Sequence, residues 1–411
     1  MRDRDLYAKI LGVESPWHVS DVVLDVEAGT VDVIVEFRGA PECPHCRKSA
    51  PGYDARRRRW RHLDTCQFET YLVADVPRVE CAEHGVSQID VPWAEPGSRF
   101  TALFEQVAID WLKEASASAV ARRMRLSWDE VDGIMARAVR RGLERREAVH
   151  PKRIGIDETS FQKRHEYVTV VTDHDGSRVI AVADGRKEEC LDAFFNDLGE
   201  ERCAAVEVVT MDMWPAYMNA AGRHLPNARI AFDKFHVAKH LGEAVDMVRK
   251  REHRELRAEG DESLARTKYL WLQNPARMRR DRRARLRELL AESLRTGRAW
   301  AMKDAAMKLW HYVSPTWARR GWEAWLAWAS RSRLEPMVRV GRTVRKHLDG
   351  ILNAVVLKAT NALGESMNAK IQRVKSRACG YRNRARFRNA IMFHLGGLDL
   401  YPRPLVAHTN V

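Results

Sequence analysis

The order of strand and helix patterns between residues 152 and 236 is the feature that most restricts how this chain can fold. Ile154 and Ile156 alternate with Gly155 and Asp157, which is the two-residue period of a β-strand with one apolar face. The later segments are predicted strands at 167–172, 178–183, 206–211 and 228–232, and predicted helices at 188–198 and 215–221. Three strands followed by alternating helices and strands predict a mixed α/β sheet.

Acidic residues mark two of these strands and one later helix. Asp157 shares a strand face with Gly155, which has no side chain, so the sequence predicts that this carboxylate faces open space. Asp212 ends the strand at 206–211, and Glu365 lies near the start of a helical stretch. Asp157, Asp212 and Glu365 are therefore the candidate catalytic carboxylates. Asp233 and His236 follow the last strand and are possible accessory residues, with a helix-capping pair as the alternative interpretation.

The helix that contains Glu365 has two faces that could meet the sheet. One is an apolar stripe of Leu363, Met367, Ile371 and Val374, and the other combines Ala362, Glu365, Ala369 and Gln372. The small residues of the second face favour a close approach to the sheet. If the apolar stripe faces the sheet instead, Glu365 points away, and Glu335 or Asp349 is the next candidate.

Three carboxylates at strand ends and a helix start are suitable ligands for two Mg²⁺ ions, with Mn²⁺ as an acceptable substitute. Such a pair supports phosphodiester cleavage or transfer by in-line displacement. Taken singly, most Asp and Glu residues are solvated surface charges. Their placement on a strand order typical of an RNase H-like core favours a catalytic site.

Residues 1 to about 100 are rich in strands and turns and contain a metal-ligand pattern. Cys43, Cys46, Cys81 and His84 are spaced as Cys-x2-Cys-x34-Cys-x2-His, and two-residue spacers allow a tight turn to direct both members of a pair at one ion. The pattern predicts structural Zn²⁺, with free cytosolic thiols as the alternative. Spare candidate ligands are Cys66, His45 and His62. The two pairs bracket a predicted hairpin with a basic tip at 56–61.

The segment from 100 to 146 has a helical pattern. One predicted helix has an apolar face formed by Phe104, Val107, Ala108, Trp111 and Leu112. Two shorter helices at 116–124 and 127–140 follow, and Ser127 is a suitable N-cap for the second. This arrangement predicts a helix-turn-helix, with plain helix packing as the alternative.

Charge indicates the partner. The 411-residue chain has 70 Lys and Arg against 56 Asp and Glu, a formal charge of +14 and a pI near 9.6, which favours a polyanion such as nucleic acid. The alternative interpretation is that the excess positive charge only forms a solvated basic surface. A charged N-terminus and the lack of a long apolar run predict a cytosolic protein with no membrane partner.

The stretch from 237 to 355 does not continue the alternation of predicted strands and helices. It is helical, rich in Arg and dense in Trp, and we interpret it as an all-α insertion with Trp322, Trp325 and Trp328 as core anchors.

Four sequence blocks together resemble a known family. They are 156–160 (IDETS), 211–217 (MDMWPAY), 232–237 (FDKFHV) and 360–368 (TNALGESMN). These blocks resemble the signatures of the ISL3 family of bacterial insertion-sequence DDE transposases, and the resemblance covers nearly the whole chain, including a closing GYRN at 380–383. Two departures are His84, where a cysteine is more usual, and Ala362-Leu363 before Glu365, where a shorter polar-glycine link is typical.

The resemblance implies a fold, an activity and partners. The implied fold is a multidomain α/β protein with an RNase H-like core and an all-α insertion, preceded by a zinc-binding β-rich domain and a helix-turn-helix. The implied activity is cutting and joining of the ends of a mobile element. The expected partners are double-stranded DNA, as terminal inverted repeats and target, and further copies of the chain in a homodimer or larger assembly. Localisation is expected to be the bacterial cytoplasm, at the nucleoid when the protein is DNA-bound.

These considerations predict the domain limits 1–98, 99–150, 151–236, 237–355 and 356–411. The predicted DNA-binding residues are Arg58, Arg59, Arg122, Arg123, Arg137, Arg140, Lys370, Arg373, Lys375 and Arg382. One competing hypothesis is a catalytically silent DNA-binding regulator on an RNase H-like scaffold. Another is an RNase H-like nuclease acting on RNA or DNA junctions, which would not need a helix-turn-helix.

Overall fold

The computed structural model describes residues 2–162, 166–292, 294–357 and 362–403, with residues 162, 362, 363 and 365 described by their backbone alone. The chain divides into two compact units. Unit 1 comprises residues 1–147, 377–379 and 398–411, and unit 2 comprises residues 148–376 and 380–397.

Unit 1 contains a five-stranded sheet and four helices among the described residues. The strands are β1 (Trp17–Asp25), β2 (Thr30–Phe37), β3 (Gly52–Arg61), β4 (Glu69–Cys81) and β5 (Gly85–Gln88). The helices are α1 (Asp3–Leu11), α2 (Ala102–Glu114), α3 (Ala117–Met124) and α4 (Trp128–Arg145). β1 and β2 form an antiparallel hairpin across Ala28-Gly29, and their pairing extends to Asp25 and Thr30.

The sheet of unit 1 has the order β1-β2-β4-β3, and β5 pairs with β4. Alternate residues of β2 and β4 point into a core that also holds Trp17, Trp60 and Trp93. The basic run at 56–61 is not at a hairpin tip as predicted, because it lies along β3 and pairs with β4. Arg61 at its end is 5% exposed and donates to the carbonyl of His62.

The helical segment of unit 1 follows the sequence prediction closely. Ser116 caps α3, and Ser127 forms a capping box with Glu130 at the start of α4. One part of the prediction is wrong: Trp111 is 39% exposed, and Ile109 is buried on the inner face of α2 instead. The inner face also holds Glu105, which is satisfied by Arg137 and Arg141.

Unit 2 is built on a second five-stranded sheet. Its strands are β6 (Arg153–Gln162), β7 (Glu166–Asp173), β8 (Arg178–Asp184), β9 (Val208–Met211) and β10 (Arg229–Phe232). The order is β10-β9-β6-β7-β8, with antiparallel pairing among β6, β7 and β8 and parallel pairing of β6 with β9 and of β9 with β10. The predicted mixed sheet is confirmed.

The helices of unit 2 are numerous, and their bounds are α5 (Glu188–Leu198), α6 (Glu200–Ala204), α7 (Pro215–His224), α8 (Lys234–Ala258), α9 (Lys268–Leu272), α10 (Arg280–Ala291), α11 (Arg295–Leu309), α12 (Pro315–Arg331), α13 (Glu335–Lys346), α14 (Leu348–Val356), α15 (Ala362–Arg377) and α16 (Arg384–Leu395). A short 3₁₀ turn spans Pro275–Arg277. Among the described residues, no helix combines the length and apolar character that a membrane crossing requires.

The two faces of the second sheet have different roles. Ile154, Ile156 and Val209 point to a large apolar core that includes residues of α5 and α7. On the other side, α14 contacts β10, where the Asn353 amide donates to the carbonyl of Ile230 at 2.9 Å. Asp157 belongs to this second, more polar face because side chains alternate along β6.

The all-α character predicted for 237–355 is confirmed for the described residues of that stretch. Trp322 and Trp325 are 0% and 4% exposed and anchor its core as expected. Trp328 is 41% exposed, so its assignment to the core was wrong. Three tryptophans spaced by three residues drift around a helix of 3.6 residues per turn, and the last leaves the buried face.

Candidate active site and metal centres

The sulfur cluster of unit 1 is assembled at the ends of neighbouring strands. Cys43 and Cys46 lie in the loop between β2 and β3, Cys81 is the last residue of β4, and His84 lies in the turn before β5. The ligand atoms of these four residues all lie within 4.8 Å of one another. None of the spare candidates, Cys66, His45 or His62, belongs to this group.

The spacing of the donors fits tetrahedral zinc. The Cys46 and Cys81 sulfurs are 3.8 Å apart, and Nδ1 of His84 is 3.5 Å from the Cys81 sulfur and 3.8 Å from the Cys43 sulfur. Zn–S bonds of about 2.3 Å at tetrahedral angles place two sulfurs about 3.8 Å apart. Thiolate and imidazole donors at these separations support a structural zinc.

The carboxylate cluster of unit 2 is assembled by sheet topology. Gly155 of β6 is in register with Thr210 of the parallel strand β9. Asp157 and Asp212, each two residues further on, therefore lie side by side toward the same end of these two strands. Asp233 follows β10, whose Phe232 is in register with Met211. Three aspartates from three adjacent strands are thereby collected at one end of the sheet.

The electrostatics of this cluster indicate an excess of negative charge. Burial, together with the nearby charges of Asp212 and Asp233, raises the pKa of Asp157 to about 7. Hydrogen bonding to Asp212 raises the pKa of His236, whose Nε2 lies 2.6 Å from Oδ1 of Asp212. Carboxylate oxygens that repel one another in a half-buried site fit a divalent cation such as Mg²⁺.

Of the two interpretations of Asp233 and His236, helix capping is seen for Asp233, and the accessory role stays a prediction. Oδ1 of Asp233 accepts the backbone N–H of Phe235 at 2.9 Å and so caps α8. The ligand atoms of Asp212, Asp233 and His236 lie within 4.8 Å of one another, which makes them a possible metal-binding group as well. Asp233 is 4% exposed, so this capping carboxylate is held rigidly beside Asp212.

Helix α15 contacts β6 through a polar face. Nδ2 of Asn368 donates to Oδ2 of Asp157 at 2.6 Å, and Nε2 of Gln372 donates to Oγ1 of Thr159 at 2.9 Å. Met367 and Ile371 are buried on the adjoining side of the helix. The side chain of Glu365 lies outside the described residues, although its backbone is within α15.

The prediction that Asp157 faces open space across Gly155 is wrong. A Cβ at position 155 would lie 2.5 Å from Nε2 of His174 and 2.6 Å from Oγ1 of Thr172. Gly155 instead admits the imidazole of His174, which lies 3.3 Å from Oγ1 of Thr210. Burial lowers the pKa of His174. A histidine in a turn after β7 gave no sequence signal for this contact.

Asn368 was also missed as a functional residue. It ends the 360–368 block, and an amide three residues after the candidate glutamate was the available signal. Its contact with Asp157 makes it a part of the site.

The predicted DNA-binding residues divide into surface and internal positions. Those exposed to solvent are Arg59, Arg122, Arg123, Arg140, Lys370, Arg373 and Arg382, and Arg58 is half-buried. Arg137 is half-buried, and its Nε donates to the buried Glu105 at 2.8 Å. Lys375 is also half-buried, and its Nζ donates to the carbonyl of the half-buried Ser160 at 2.7 Å. Each of these two cations thus has a partner within its own unit, and its contact with DNA stays a prediction.

Comparison with known proteins matches three stretches of the chain to models of one family. A model of the ISL3 DDE transposase matches residues 154–391. A model described as the helix-turn-helix domain of transposase family ISL3 matches 89–139, and one described as the zinc-finger of transposase IS204/IS1001/IS1096/IS1165 matches 39–84.

Two curated relatives extend over most of the chain. The transposase for insertion sequence element IS1557 of Mycobacterium tuberculosis is 30% identical over 417 residues, covering 93% of both chains. The transposase for insertion sequence element IS1001 of Bordetella parapertussis is 28% identical over 334 residues, covering 80% of this chain and 82% of the relative. The chain belongs to the ISL3 family of insertion-sequence transposases, and the resemblance seen in its sequence is confirmed.

Proposed function

We propose that this transposase cleaves and joins DNA at the ends of its element, with Asp157, Asp212 and Glu365 as the catalytic carboxylates. The observation that carries the proposal is that Asp157 and Asp212 lie side by side on neighbouring strands of the sheet. Asp157 also contacts α15 through Asn368. Bound Mg²⁺ would supply activation of the attacking oxygen and neutralisation of the leaving oxygen. Asp157 and Asp212 would hold the ions, and Asn368 would orient Asp157 by donating to it.

The position of Glu365 supports its role as the third carboxylate. Positions 365, 368 and 372 share one face of a helix, since residues three and seven apart lie on the same side. Asn368 and Gln372 of that face donate to β6. Of the alternatives, Asp349 is 84% exposed in its ion pair with Arg319, and Glu335 pairs with Arg339, which favours Glu365.

The strand arrangement supports an RNase H-like core. Three antiparallel strands are followed by two parallel strands that add beyond the first. The carboxylates gather where the fourth strand ends beside the middle of the first. In this proposal the helices from α8 to α14 form the insertion between the second and third acidic residues. We also propose the five-part division 1–98, 99–150, 151–236, 237–355 and 356–411.

The basic surface is proposed to hold DNA. Arg122, Arg123 and Arg140 lie exposed on α3 and α4, the two helices of the helix-turn-helix, where they would contact phosphates of the inverted repeats. Lys370 and Arg373 are exposed on α15, the helix whose Asn368 contacts Asp157. A homodimer or larger assembly would bring two element ends together.

The experiment that tests the proposal is single-turnover cleavage of labelled duplex DNA carrying the element end, with Mg²⁺ or Mn²⁺ and with EDTA. We expect metal-dependent cleavage that exposes a 3′-hydroxyl. Specific retention of the DNA without cleavage under either metal would favour the silent regulator instead.

A further inference from the structure

Two exposed aromatic residues closely follow members of the carboxylate cluster along the chain. Phe235 is 60% exposed and lies between the candidate metal ligands Asp233 and His236. Trp214 is 39% exposed and lies two residues after Asp212. A single exposed aromatic residue is ordinary. Two that each follow a candidate metal ligand by two residues suggest that both rings contact the ligand bound at the carboxylates.

The backbone around Phe235 is fixed. Its N–H donates to Oδ1 of Asp233 at 2.9 Å, in the first turn of α8. Because Asp233 is 4% exposed, this hydrogen bond is shielded from water. The phenyl ring is thereby presented to solvent from a rigid turn that also carries His236.

Trp214 is held by a separate set of contacts. Its indole N–H donates to the carbonyl of Arg186 at 3.2 Å, and the Arg186 guanidinium lies 4.6 Å from the centre of the indole ring and 4.9 Å from that of Tyr167. Arg186 also pairs with Glu158, the neighbour of Asp157, at 3.7 Å. The exposed indole is therefore oriented before any ligand arrives.

We propose that Phe235, with Trp214 and Arg186 as a second support, stacks on the bases that flank the scissile phosphate. This inference rests on the proposed function, which places that phosphate at the carboxylates. Aromatic rings bind bases by stacking regardless of sequence, and Arg186 would meet the adjacent phosphate. A base must leave its duplex stack to reach such a ring, so Phe235 would stabilise a distorted DNA end in which the phosphate is accessible.

The test combines protein variants with modified DNA. Full-length Phe235→Ala, Phe235→Leu and Phe235→Tyr are compared in single-turnover cleavage of intact element ends and of ends with an abasic nucleotide on either side of the scissile phosphate. Stacking corresponds to about 5-fold to 150-fold in rate for Ala and Leu, whereas Tyr should retain most of the activity. Tyr269→Ala, at a 63% exposed aromatic residue of α9, is the matched control and should cleave like the parent.

The decisive observation is non-additivity. On the abasic end, the parent should fall to the rate of Phe235→Ala, and Phe235→Ala should fall no further, because the partner of the ring is already missing. Losses that multiply, or a Phe235→Leu variant as active as the parent, would overturn the inference.

A second readout separates this inference from the proposed chemistry. The fluorescent base 2-aminopurine is placed at each flanking nucleotide, and binding is followed with Ca²⁺ in place of Mg²⁺. We expect the parent and Phe235→Tyr to change its fluorescence and Phe235→Ala to leave it as in free duplex. If the parent never cleaves but this pattern appears, the stacking role stands and the proposed chemistry fails; an identical signal for all variants refutes the stacking role.

Discussion

The sulfur cluster of unit 1 and the carboxylate cluster of unit 2 are both suited to metal ions, but the chain builds them differently. Cys43 and Cys46 share one loop, and Cys81 and His84 share one turn, so short segments place each pair. Asp157 lies on β6 and Asp212 directly follows β9, and the two meet only because β6 and β9 are parallel neighbours. Local spacing defines the first cluster, and sheet order defines the second.

The two clusters also differ in their effect on stability. Donors within 4.8 Å of one another at strand ends suit a zinc ion that contributes to folding. Burial and mutual repulsion both disfavour the charged carboxylates, as the raised pKa of Asp157 indicates, and so oppose folding in the absence of a cation. Removing a ligand should therefore damage the fold in unit 1 and the chemistry in unit 2.

The largest effect is expected from removal of a zinc ligand. Cys43→Ser should unfold the region from 39 to 84, because a structural zinc supplies about 10–16 kcal/mol in zinc-finger peptides and a site short of one thiolate loses much of it. Zinc analysis and hydrogen exchange of the full chain measure this, together with binding of element ends. Cys66→Ser, at an exposed cysteine outside the cluster, should behave like the parent. Purified parent protein without zinc would refute the metal site.

Removal of a carboxylate should affect cleavage and spare the fold. Asp157→Asn, Asp212→Asn and Glu365→Gln should each reduce single-turnover cleavage by about 10²–10³-fold, because each weakens metal binding and misplaces the attacking oxygen. Asp349→Asn is the control.

The Asp157→Asn substitution, which should lower cleavage activity, should preserve or raise thermal stability. The pKa of Asp157 is raised in the fold, so its contribution to stability is lost as pH rises through about 7. Asp157→Asn should therefore have an unchanged or higher melting temperature at pH 8 without metal. A lowered melting temperature would contradict the proposed contrast between the two clusters.

Acid should weaken unit 1 through His62. Burial lowers the pKa of His62 to about 4, with Arg61 as a further cause, and its Nδ1 lies 2.9 Å from Oγ1 of Thr101. The unfolded chain binds a proton near pH 6.5 and the folded chain does not, so stability falls as pH drops from 6.5 to 4, by about 3 kcal/mol. Hydrogen exchange of β3 and β4 at pH 6.5 and 4.5 measures this. His62→Gln should show a smaller fall, and equal falls would assign the acid effect to zinc loss.

The smallest effect concerns the basic strand β3. Arg58→Ala should lower the slope of log affinity against log salt by about 0.9, the contribution of one released counterion. Arg59→Ala should lower the slope by less, because Arg59 also pairs with Asp32. Filter binding between 50 and 200 mM salt measures the slopes, with Arg38→Ala as the control. Unchanged slopes would show that β3 is a solvated face.

The sequence predicted elements more reliably than side-chain surroundings. Ser127 and Glu130 form the expected capping box because the cap involves only neighbouring residues. The helix at 188–198 has its predicted limits. By contrast, Arg137 has the charge of a DNA contact but satisfies Glu105, since the partner of a cation on a helix depends on which helix packs against it.

The sequence by itself determined the succession of strands and helices along unit 2 and the spacing of the sulfur ligands, because these follow from residue type and short-range periodicity. The family was indicated by the resemblance of four sequence blocks. Only the tertiary structure decided that His174 occupies the space over Gly155, that Asn368 contacts Asp157 and that Asp233 joins Asp212 while capping α8. These contacts depend on strand register and helix packing, which bring different segments of the chain together. No local pattern in the amino-acid sequence reveals that geometry.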